Sequence, residues 1–437
     1  MTAPQPAREP AAANRRQFLG GSAAAVLAAS TLGAARNAHA AGGDTLRIGL
    51  IGCGGRGNGA AVNAMKADSN CKLVAMADLF PDQITAARQS ILADAEAQGV
   101  KEKFAVTEDR CYSGFDAYLK LIASDVDVVL LTTPPHFRPM HLRAAIEAGK
   151  HVFCEKPVAV DAPGVRHVLE TVELARQKNL SIVSGLCWRY DYAVRETVKR
   201  ILDGAIGDIV AIQENYLAGT LWHRGRQPQW SEMEYQLRNW LYFTWLSGDH
   251  NVEQHIHSLD KALWLMGDQL PEKCFGLGGR QVRTGPEWGN IYDHHAVCYE
   301  YPNGVKVFAY TRQMAGCHTD VDDYVMGTKG KAALLKFQIE GDQSWRYPRR
   351  PERPSMYDVE HQELFAGIRK GQIINNGIYM ARSTLMAIMG RMACYTGELV
   401  TSEAAMNSQQ SLTPSSYSWG DVSIPVEVAM PGVTKLV

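Results

Sequence analysis

Six side chains that can take up or release a proton lie close together near the middle of the chain. They fall within residues 249–260 and are Asp249, His250, Glu253, His255, His257 and Asp260. The segment has a helical pattern, and at 3.6 residues per turn Glu253, His257 and Asp260 share one stripe with Asp249 a turn earlier. Because imidazole titrates near neutral pH, a histidine beside a carboxylate can accept a hydroxyl proton. We expect His257 to be the general base, with Glu253 beside it.

The same cluster allows two other interpretations. Three histidines and three carboxylates in so short a segment could bind a metal ion. A histidine such as His257 could also be a hydrogen-bonded residue of the core. The residues of this segment leave all three interpretations open.

A glycine-rich turn near residue 52 has the pattern of a dinucleotide site. The apolar stretch 45–51 leads into a glycine turn and a helical pattern, and the apolar stretch 72–77 ends in an aspartate. Glycines let the backbone approach a pyrophosphate, the helix N-terminus donates amide hydrogens to it, and the acidic residue accepts from the adenosine ribose. A carboxylate there would repel a 2′-phosphate, so the pattern favours NAD over NADP. The candidate cofactor-binding residues are Gly52, Gly54, Arg56, Gly57 and Asp78.

Strand and helix patterns continue to alternate as far as residue 157. One apolar stretch, 126–131, leads into Thr132-Thr133-Pro134, and another, 151–154, leads into Glu155-Lys156-Pro157. Such alternation predicts a parallel sheet, in which ligands bind beyond the carboxyl ends of the strands. The side chains expected at this rim, beside the cofactor, are Thr133, Pro134, Glu155 and Lys156.

With these motifs the chain resembles the Gfo/Idh/MocA oxidoreductase family. The most specific signature is the run AGKHVFCEKP at 148–157, and the segments 204–209, 327–330 and 390–397 are also similar to family motifs. The resemblance implies an α/β fold: an N-terminal Rossmann domain with a doubly wound parallel sheet, then a C-terminal α/β domain with an open, mainly antiparallel sheet. It also implies an enzyme that binds NAD and acts on sugars, polyols and related hydroxy compounds.

The resemblance assigns a catalytic role to Lys156, which corresponds to the family's lysine in the Glu-Lys-Pro motif. An ammonium group at that place would stabilise the alkoxide that develops as a hydride leaves. Many relatives carry an acidic residue, a histidine and an aspartate where this chain has Glu253, His257 and Asp260, although the first is usually Asp. The family mostly needs no metal, so we expect no metal ligand.

A further strand end in the family approaches both the cofactor and the substrate. The corresponding segment here includes Trp188, Arg189 and Tyr190. The resemblance therefore implies that Trp188 contacts the cofactor and that Arg189, Tyr190 and Asp260 contact the substrate. Aromatic residues are also dense between 216 and 264, and their role stays open.

The composition argues against some classes of partner. The chain of 437 residues has 45 Lys and Arg against 46 Asp and Glu, a formal net charge of −1. Nucleic acid and anionic membranes attract a surplus of positive charge, which this chain lacks. We expect a small carbohydrate as substrate, no nucleic-acid or membrane partner, and a homo-oligomer formed through the C-terminal sheet, as is usual in the family.

The first forty residues resemble a twin-arginine export signal. Arg15 and Arg16 precede a weakly apolar run over 20–35, and Ala38-His39-Ala40 has the form of a cleavage site. This predicts a periplasmic or secreted protein that is exported folded, with its cofactor in place. The expected organisation is a signal at 1–40, an NAD-binding domain at 41–165, a substrate and oligomerisation domain at 166–402 whose residues near 166–187 complete the Rossmann domain, and an arm at 403–437.

Three functions are compatible with these features. The first is an NAD-dependent oxidoreductase that acts on a sugar, polyol or glycoside with tightly bound NAD. The second is a redox-neutral glycoside hydrolase that oxidises, eliminates, hydrates and reduces, which would suit a compartment without free NAD. The third is a sugar-binding protein without turnover, and the combination of Lys156, Glu253 and His257 argues against it.

Overall fold

The computed structural model describes residues 44–349 and 352–436, so the expected export signal lies outside the described residues. The first of two sheets has six parallel strands in the order β3-β2-β1-β4-β5-β6. The strands are β1 (Leu46–Ile51), β2 (Cys71–Asp78), β3 (Cys111–Ser113), β4 (Val128–Leu131), β5 (His151–Cys154) and β6 (Ile182–Ser184). Their central residues are buried on both faces, as a parallel sheet covered by helices requires. This confirms the predicted Rossmann sheet.

Thirteen α-helices are present among the described residues. They are α1 (Gly55–Ala67), α2 (Pro81–Ala97), α3 (Ala117–Ala123), α4 (Arg138–Glu147), α5 (Ala162–Gln177), α6 (Tyr192–Leu202), α7 (Glu232–Arg238), α8 (Thr244–Ser247), α9 (His250–Glu253), α10 (Ile256–Leu265), α11 (Met356–Arg369), α12 (Gly377–Thr396) and α13 (Ser402–Asn407). Within the described ranges, no helix combines the length and the apolar character needed to cross a bilayer.

The second sheet has nine strands in the order β14-β13-β12-β11-β7-β10-β9-β8-β15. They are β7 (Ile209–Ala218), β8 (Lys273–Gly279), β9 (His294–Glu300), β10 (Lys306–Gln313), β11 (Asp320–Gly327), β12 (Gly330–Ala333), β13 (Gln338–Gly341), β14 (Trp345–Arg346) and β15 (Val400–Thr401). The β7–β10 pair is parallel and the other pairs are antiparallel. Helices α10 and α12 pack on one face, and side chains alternate between buried and exposed along β9 and β10. The expected open, mainly antiparallel sheet is confirmed.

Helix α11 lies late in the chain but packs on α1 of the first domain. Asp358 accepts hydrogen bonds from Asn63 Nδ2 and Lys66 Nζ, each at 2.7 Å. Arg369, at the other end of α11, pairs with Asp68 at 2.8 Å. The NAD-binding domain is therefore completed by residues near 356–369, which the sequence analysis did not assign to it.

The single helix expected over 249–260 is wrong. The chain forms α9 and α10 instead, with a break at Gln254 and His255. Asp249 precedes α9 with φ 83° and ψ 157°, a conformation that helical residues do not adopt. The break arises because buried polar partners from distant parts of the chain hold this segment, a constraint that helical spacing cannot reveal.

Candidate active site

A cavity of about 680 Å³ lies where the carboxyl ends of the Rossmann strands face the second domain. The carboxyl ends of β1, β2, β4 and β5 form one side of the cavity. Helices α9 and α10 form part of the other side and carry the catalytic candidates Glu253 and His257. Ten of the predicted residues line it: Gly52, Gly54, Arg56, Asp78, Thr133, Pro134, Glu155, Lys156, Glu253 and His257. The structure thus brings the glycine turn and the proton-transfer candidates into one site.

The glycine turn is shaped for the close approach of a ligand. Gly52 has φ +100°, and a Cβ atom there would lie 2.6 Å from the backbone nitrogen of Thr133. Gly57 lies behind the lining, where a Cβ atom would be 2.0 Å from the carbonyl oxygen of Gly52, so it allows α1 to pack closely. At Gly54 and Gly55 a Cβ atom would meet nothing within 4 Å, so this backbone is open towards the cavity at the start of α1. These residues fit a pyrophosphate group.

Asp78 lies at the end of β2, where an adenosine ribose is expected. Its carboxylate accepts hydrogen bonds from the backbone amides of Cys53 at 2.7 Å and Phe80 at 2.9 Å. Burial raises the pKa of Asp78, and the two amide donors oppose that effect. These bonds tie the ribose-binding position to the glycine turn.

Arg56 lines the cavity with its charge already balanced. Its guanidinium donates to Glu155 and, at 2.6 Å, to Glu360 of α11. The same group lies 4.7 Å from the centre of the Tyr357 ring. Arg56 therefore joins the glycine turn to the Glu-Lys-Pro loop and to α11. A cofactor bound as predicted would share the Arg56 guanidinium group with these two carboxylates.

Lys156 is held by Glu253 across the two domains. Its Nζ donates to Glu253 Oε1 at 2.8 Å and also to the carbonyl oxygen of Glu253. The two side chains are only 12% and 13% exposed, so water screens their attraction weakly. An ammonium group has three N–H donors, which leaves one for a ligand in the cavity.

His257 lines the cavity but does not pair with Glu253, whose carboxylate bonds to Lys156. Burial, and then the positive charges of Lys156 and Lys261, lower the pKa of His257 well below its usual value. Its Nδ1 is buried and has no hydrogen-bond partner among the described residues. The imidazole is therefore neutral, and the burial and positive charges that keep it neutral also weaken it as a base.

Besides Gly57, four predicted site residues lie outside the cavity lining. Arg189 pairs with Asp260 at 2.9 Å and with Asp268 at 2.6 Å, and the Tyr190 hydroxyl donates to Asn376 at 2.6 Å. The structure therefore does not place Arg189, Tyr190 and Asp260 at the cavity, where substrate contacts were expected. Their side chains are buried and bound to partners within the protein.

Trp188, the fourth of these residues, was expected to contact the cofactor. Its ring centre instead lies 5.1 Å from Lys261 Nζ and packs against the hydrophobic core. The structure thus gives Trp188 a place beside α10, outside the lining of the cavity.

A second polar cluster is fully buried and separate from the cavity lining. Asp249, His250 and His295 each place one potential metal ligand within 4.8 Å of the others. The Asp249 carboxylate, however, already accepts from His295 at 3.0 Å, the Tyr292 amide at 2.9 Å and the Tyr395 hydroxyl at 2.5 Å. We interpret the cluster as a hydrogen-bond network, because a metal ion would have to displace these donors.

Sequence reasoning missed Arg138, a buried cavity residue at the start of α4. Its guanidinium donates to the carbonyl oxygens of Thr133, at 2.6 Å, and Pro157. It therefore fixes the two loops that carry Thr133 and Lys156. The one sequence signal that could have indicated Arg138 as a site residue is its position shortly after the Thr-Pro-Pro run that ends a strand.

The comparisons with known proteins agree with this geometry. The model of an oxidoreductase family with an NAD-binding Rossmann fold, GFO_IDH_MocA, matches residues 46–185. The fold and site thus define an NAD-binding oxidoreductase scaffold. Residues 46–185 therefore match the NAD-binding Rossmann domain of the Gfo/Idh/MocA family, and the cofactor is NAD.

Several curated relatives share part of the sequence. An uncharacterized oxidoreductase of Streptococcus pneumoniae is 29% identical over 51% of this chain, and 2,7-anhydro-N-acetylneuraminate hydratase of Escherichia coli is 27% identical over 48%. The chain spans only 56% and 51% of the length of these two relatives. Inositol 2-dehydrogenase of Burkholderia cenocepacia is 27% identical over 75% of this chain and 88% of its own.

Solved structures share the fold. Levoglucosan dehydrogenase, in complex with NADH and levoglucosan, superposes with a TM-score of 0.63 at 19% identity. The superposition covers 82% of this chain and 99% of that chain.

Proposed function

We propose that this protein oxidises a CH–OH group of a carbohydrate or polyol, with Lys156 as the residue that binds the reacting hydroxyl group. The observation that carries the proposal is the position of Lys156. Its ammonium group is held by Glu253 in the same cavity as the open glycine turn. A relative with long coverage, named inositol 2-dehydrogenase, supports this substrate class.

The residues of the cavity can carry out the proton chemistry of such an oxidation. When bound, NAD accepts a hydride from the carbon that bears the hydroxyl group. The remaining N–H donor of Lys156 can bind the hydroxyl oxygen, and its charge stabilises the alkoxide as it develops. The neutral imidazole of His257 is our candidate acceptor for the hydroxyl proton, although its lowered pKa makes it a weak base. Glu253 orients the ammonium group.

Redox-neutral cleavage of a glycoside is the second candidate. A relative whose printed name is a hydratase favours it, because addition of water leaves the substrate's overall oxidation state unchanged. Here Lys156 would stabilise the carbonyl oxygen of an oxidised sugar, and His257 would take the proton from the neighbouring carbon. A sugar-binding protein without turnover is the third candidate. Binding alone does not explain why the ammonium group of Lys156 is held in place at the rim of the sheet.

The test uses the purified full-length protein. Bound NAD is released by denaturation and measured by absorbance, and the native protein is then offered inositols, free sugars and glycosides with and without added NAD. Formation of NADH with a free sugar or polyol supports the oxidoreductase. Release of sugar from a glycoside with no net NADH supports the redox-neutral enzyme. Binding with neither reaction, for every substrate class, would overturn both.

We also propose that residues 1–40 direct export by the twin-arginine route to the periplasm or the medium. The paired Arg15 and Arg16 support this. Replacing both with lysine should leave the protein in the cytoplasmic fraction, and unchanged export would refute the proposal.

We further propose self-association through the exposed face of the second sheet. Phe275, Leu277 and Tyr310 present apolar side chains there, and Leu277 is 77% exposed. Light scattering of the protein with Leu277→Lys should show a smaller species than the wild type, and a monomeric wild type would exclude this interface.

A further inference from the structure

The end of the cavity that holds Asp78 is covered by the second domain. Phe80 and Phe115 line it from the Rossmann domain. Trp222, Arg238 and Trp240 line it from the segment between β7 and α8. Because Asp78 marks the expected adenosine side of a dinucleotide, this segment would cover the adenosine part of NAD, the part farthest from Lys156 and His257.

Arg238 connects the two domains at this place. Its Nη1 and Nη2 each donate to the Asp82 carboxylate at 3.0 Å, in the first turn of α2. Its guanidinium also lies 3.9 Å from the centre of the Phe80 ring. The Arg238 side chain is only 10% exposed, and its Nε is fixed by Glu234 at 2.8 Å. The planar guanidinium group of Arg238 makes two hydrogen bonds to Asp82 and stacks on Phe80, so its position is well defined.

The C-terminal segment adds a second layer outside these residues. The Trp419 ring lies 5.7 Å from Phe80 and 5.0 Å from Phe115 between ring centres. The neighbouring Gly420 accepts a hydrogen bond from the Met233 amide of α7 at 2.8 Å. The arm of this chain therefore packs on its own Rossmann domain and on the segment that carries Arg238.

We propose that Arg238 and the Trp419 segment form a retention site for the adenosine part of NAD, so that one NAD molecule stays bound from turnover to turnover. The inference rests on the use of NAD in the proposed function. Dissociation of the dinucleotide requires the Arg238–Asp82 contact and the stacking on Phe80 to open first. Such an opening step limits the rate of release.

The test measures release without any substrate. The full-length protein is loaded with NADH and mixed with a large excess of NAD, and the loss of bound-NADH fluorescence gives the release rate. Arg238→Gln and Trp419→Ala should each release NADH at least about tenfold faster than wild type, equivalent to 1.4 kcal/mol.

Arg226→Gln is the matched control. Arg226 lies in the same segment, pairs with Glu232 at 2.6 Å and stacks on Tyr235, but it is not part of the cavity lining. Its variant should release NADH at the wild-type rate. If Arg238→Gln fails to fold, Asp82→Asn removes the same contact from a largely exposed side chain. Wild-type release rates in both the Arg238 or Asp82 variant and the Trp419 variant would overturn the proposal.

The outcome is separable from that of the proposed function. Slow release in wild type with no oxidation of any carbohydrate would refute the proposed function and leave the retention site in place. Fast exchange in wild type with steady oxidation of a sugar by added NAD would refute the retention site alone.

Discussion

Lys156 obtains its position from a residue of the other domain. Glu253 binds its ammonium group through both a side-chain and a backbone oxygen. A lysine ammonium is a flexible point charge that needs such partners to point in one direction. The pair therefore links catalytic geometry to the contact between the two domains.

Lys156→Met should lower turnover by at least about 100-fold, because the developing alkoxide loses its charged hydrogen-bond donor. NAD content, measured after denaturation, should stay equal to that of wild type. The control is Lys120→Met, since Lys120 of α3 is exposed and pairs with Asp116, the residue before that helix. Turnover within a few-fold of wild type would remove Lys156 from the mechanism.

The low pKa of His257 bears on how the proposed proton transfer should depend on pH. Since burial and the neighbouring cations lower this pKa, the imidazole stays neutral as the pH falls through 6.5, where a free histidine is protonated. We expect kcat/KM to stay flat from pH 8 to pH 6. A loss of activity centred near pH 6.5, absent in His257→Gln, would show that His257 titrates normally.

At the scale of the element, the segment before α9 stores strain. Asp249 adopts φ 83° and ψ 157°, a region in which residues other than glycine cost about 1–3 kcal/mol. Its buried hydrogen bonds to His295 and Tyr395 offset that cost. Although burial opposes it, the Asp249 carboxylate raises the pKa of His295 to about 10, so the two form an ion pair. The segment is thereby fixed with Glu253 directed at Lys156.

Asp249→Asn should destabilise the protein by about 3–5 kcal/mol, because it leaves a buried charge on His295 without its partner. Urea unfolding gives this difference, and turnover should fall as Glu253 loses its fixed position. Asp203→Asn serves as control, because Asp203 is exposed and pairs with Lys199 of the helix that it follows. A change below 0.5 kcal/mol would show that the pair does not stabilise the fold.

The sequence allowed the glycine turn, Asp78 and Lys156 to be placed correctly in the cavity, because each follows directly from a strand end in a local motif. The substrate contacts that the resemblance and the helical spacing implied for Arg189 and Asp260 were not found, because the two side chains pair with each other in the protein interior. Spacing shows that two residues share a face, but it does not show whether a cavity or a buried partner lies opposite. The partners of Asp249 are 46 and 146 residues away, so the break between α9 and α10 had no local signal.

At the scale of the whole molecule, several histidines are buried in the neutral form. Burial lowers the pKa of His136, His151 and His250 to about 4 and that of His141 to about 3. In the unfolded chain all four take up protons near pH 6.5. As the pH falls below 6.5 the unfolded state therefore binds more protons than the folded state, and stability decreases.

Each of these histidines should lower the free energy of unfolding by up to about 1.4 kcal/mol per pH unit between pH 6.5 and its folded pKa. We expect the melting temperature at pH 5 to lie at least about 5 °C below that at pH 7.5. His151→Gln should weaken this dependence, and His318→Gln, at an exposed position, should not. A flat melting curve over this range would contradict the expectation.

Helix α11 has a consequence for the order in which the protein can be made. The parallel sheet is complete at residue 184, yet the helix that covers α1 starts at Met356. At ribosomal rates of 5–20 residues per second, the nascent first domain waits about ten to thirty seconds for that cover. During this interval Arg56 lacks Glu360, and the α1 face is open to chaperones or to other nascent chains. If residues 1–40 act as the proposed export signal, a machinery that accepts only folded cargo could engage the protein only after Met356–Arg369 has been synthesised.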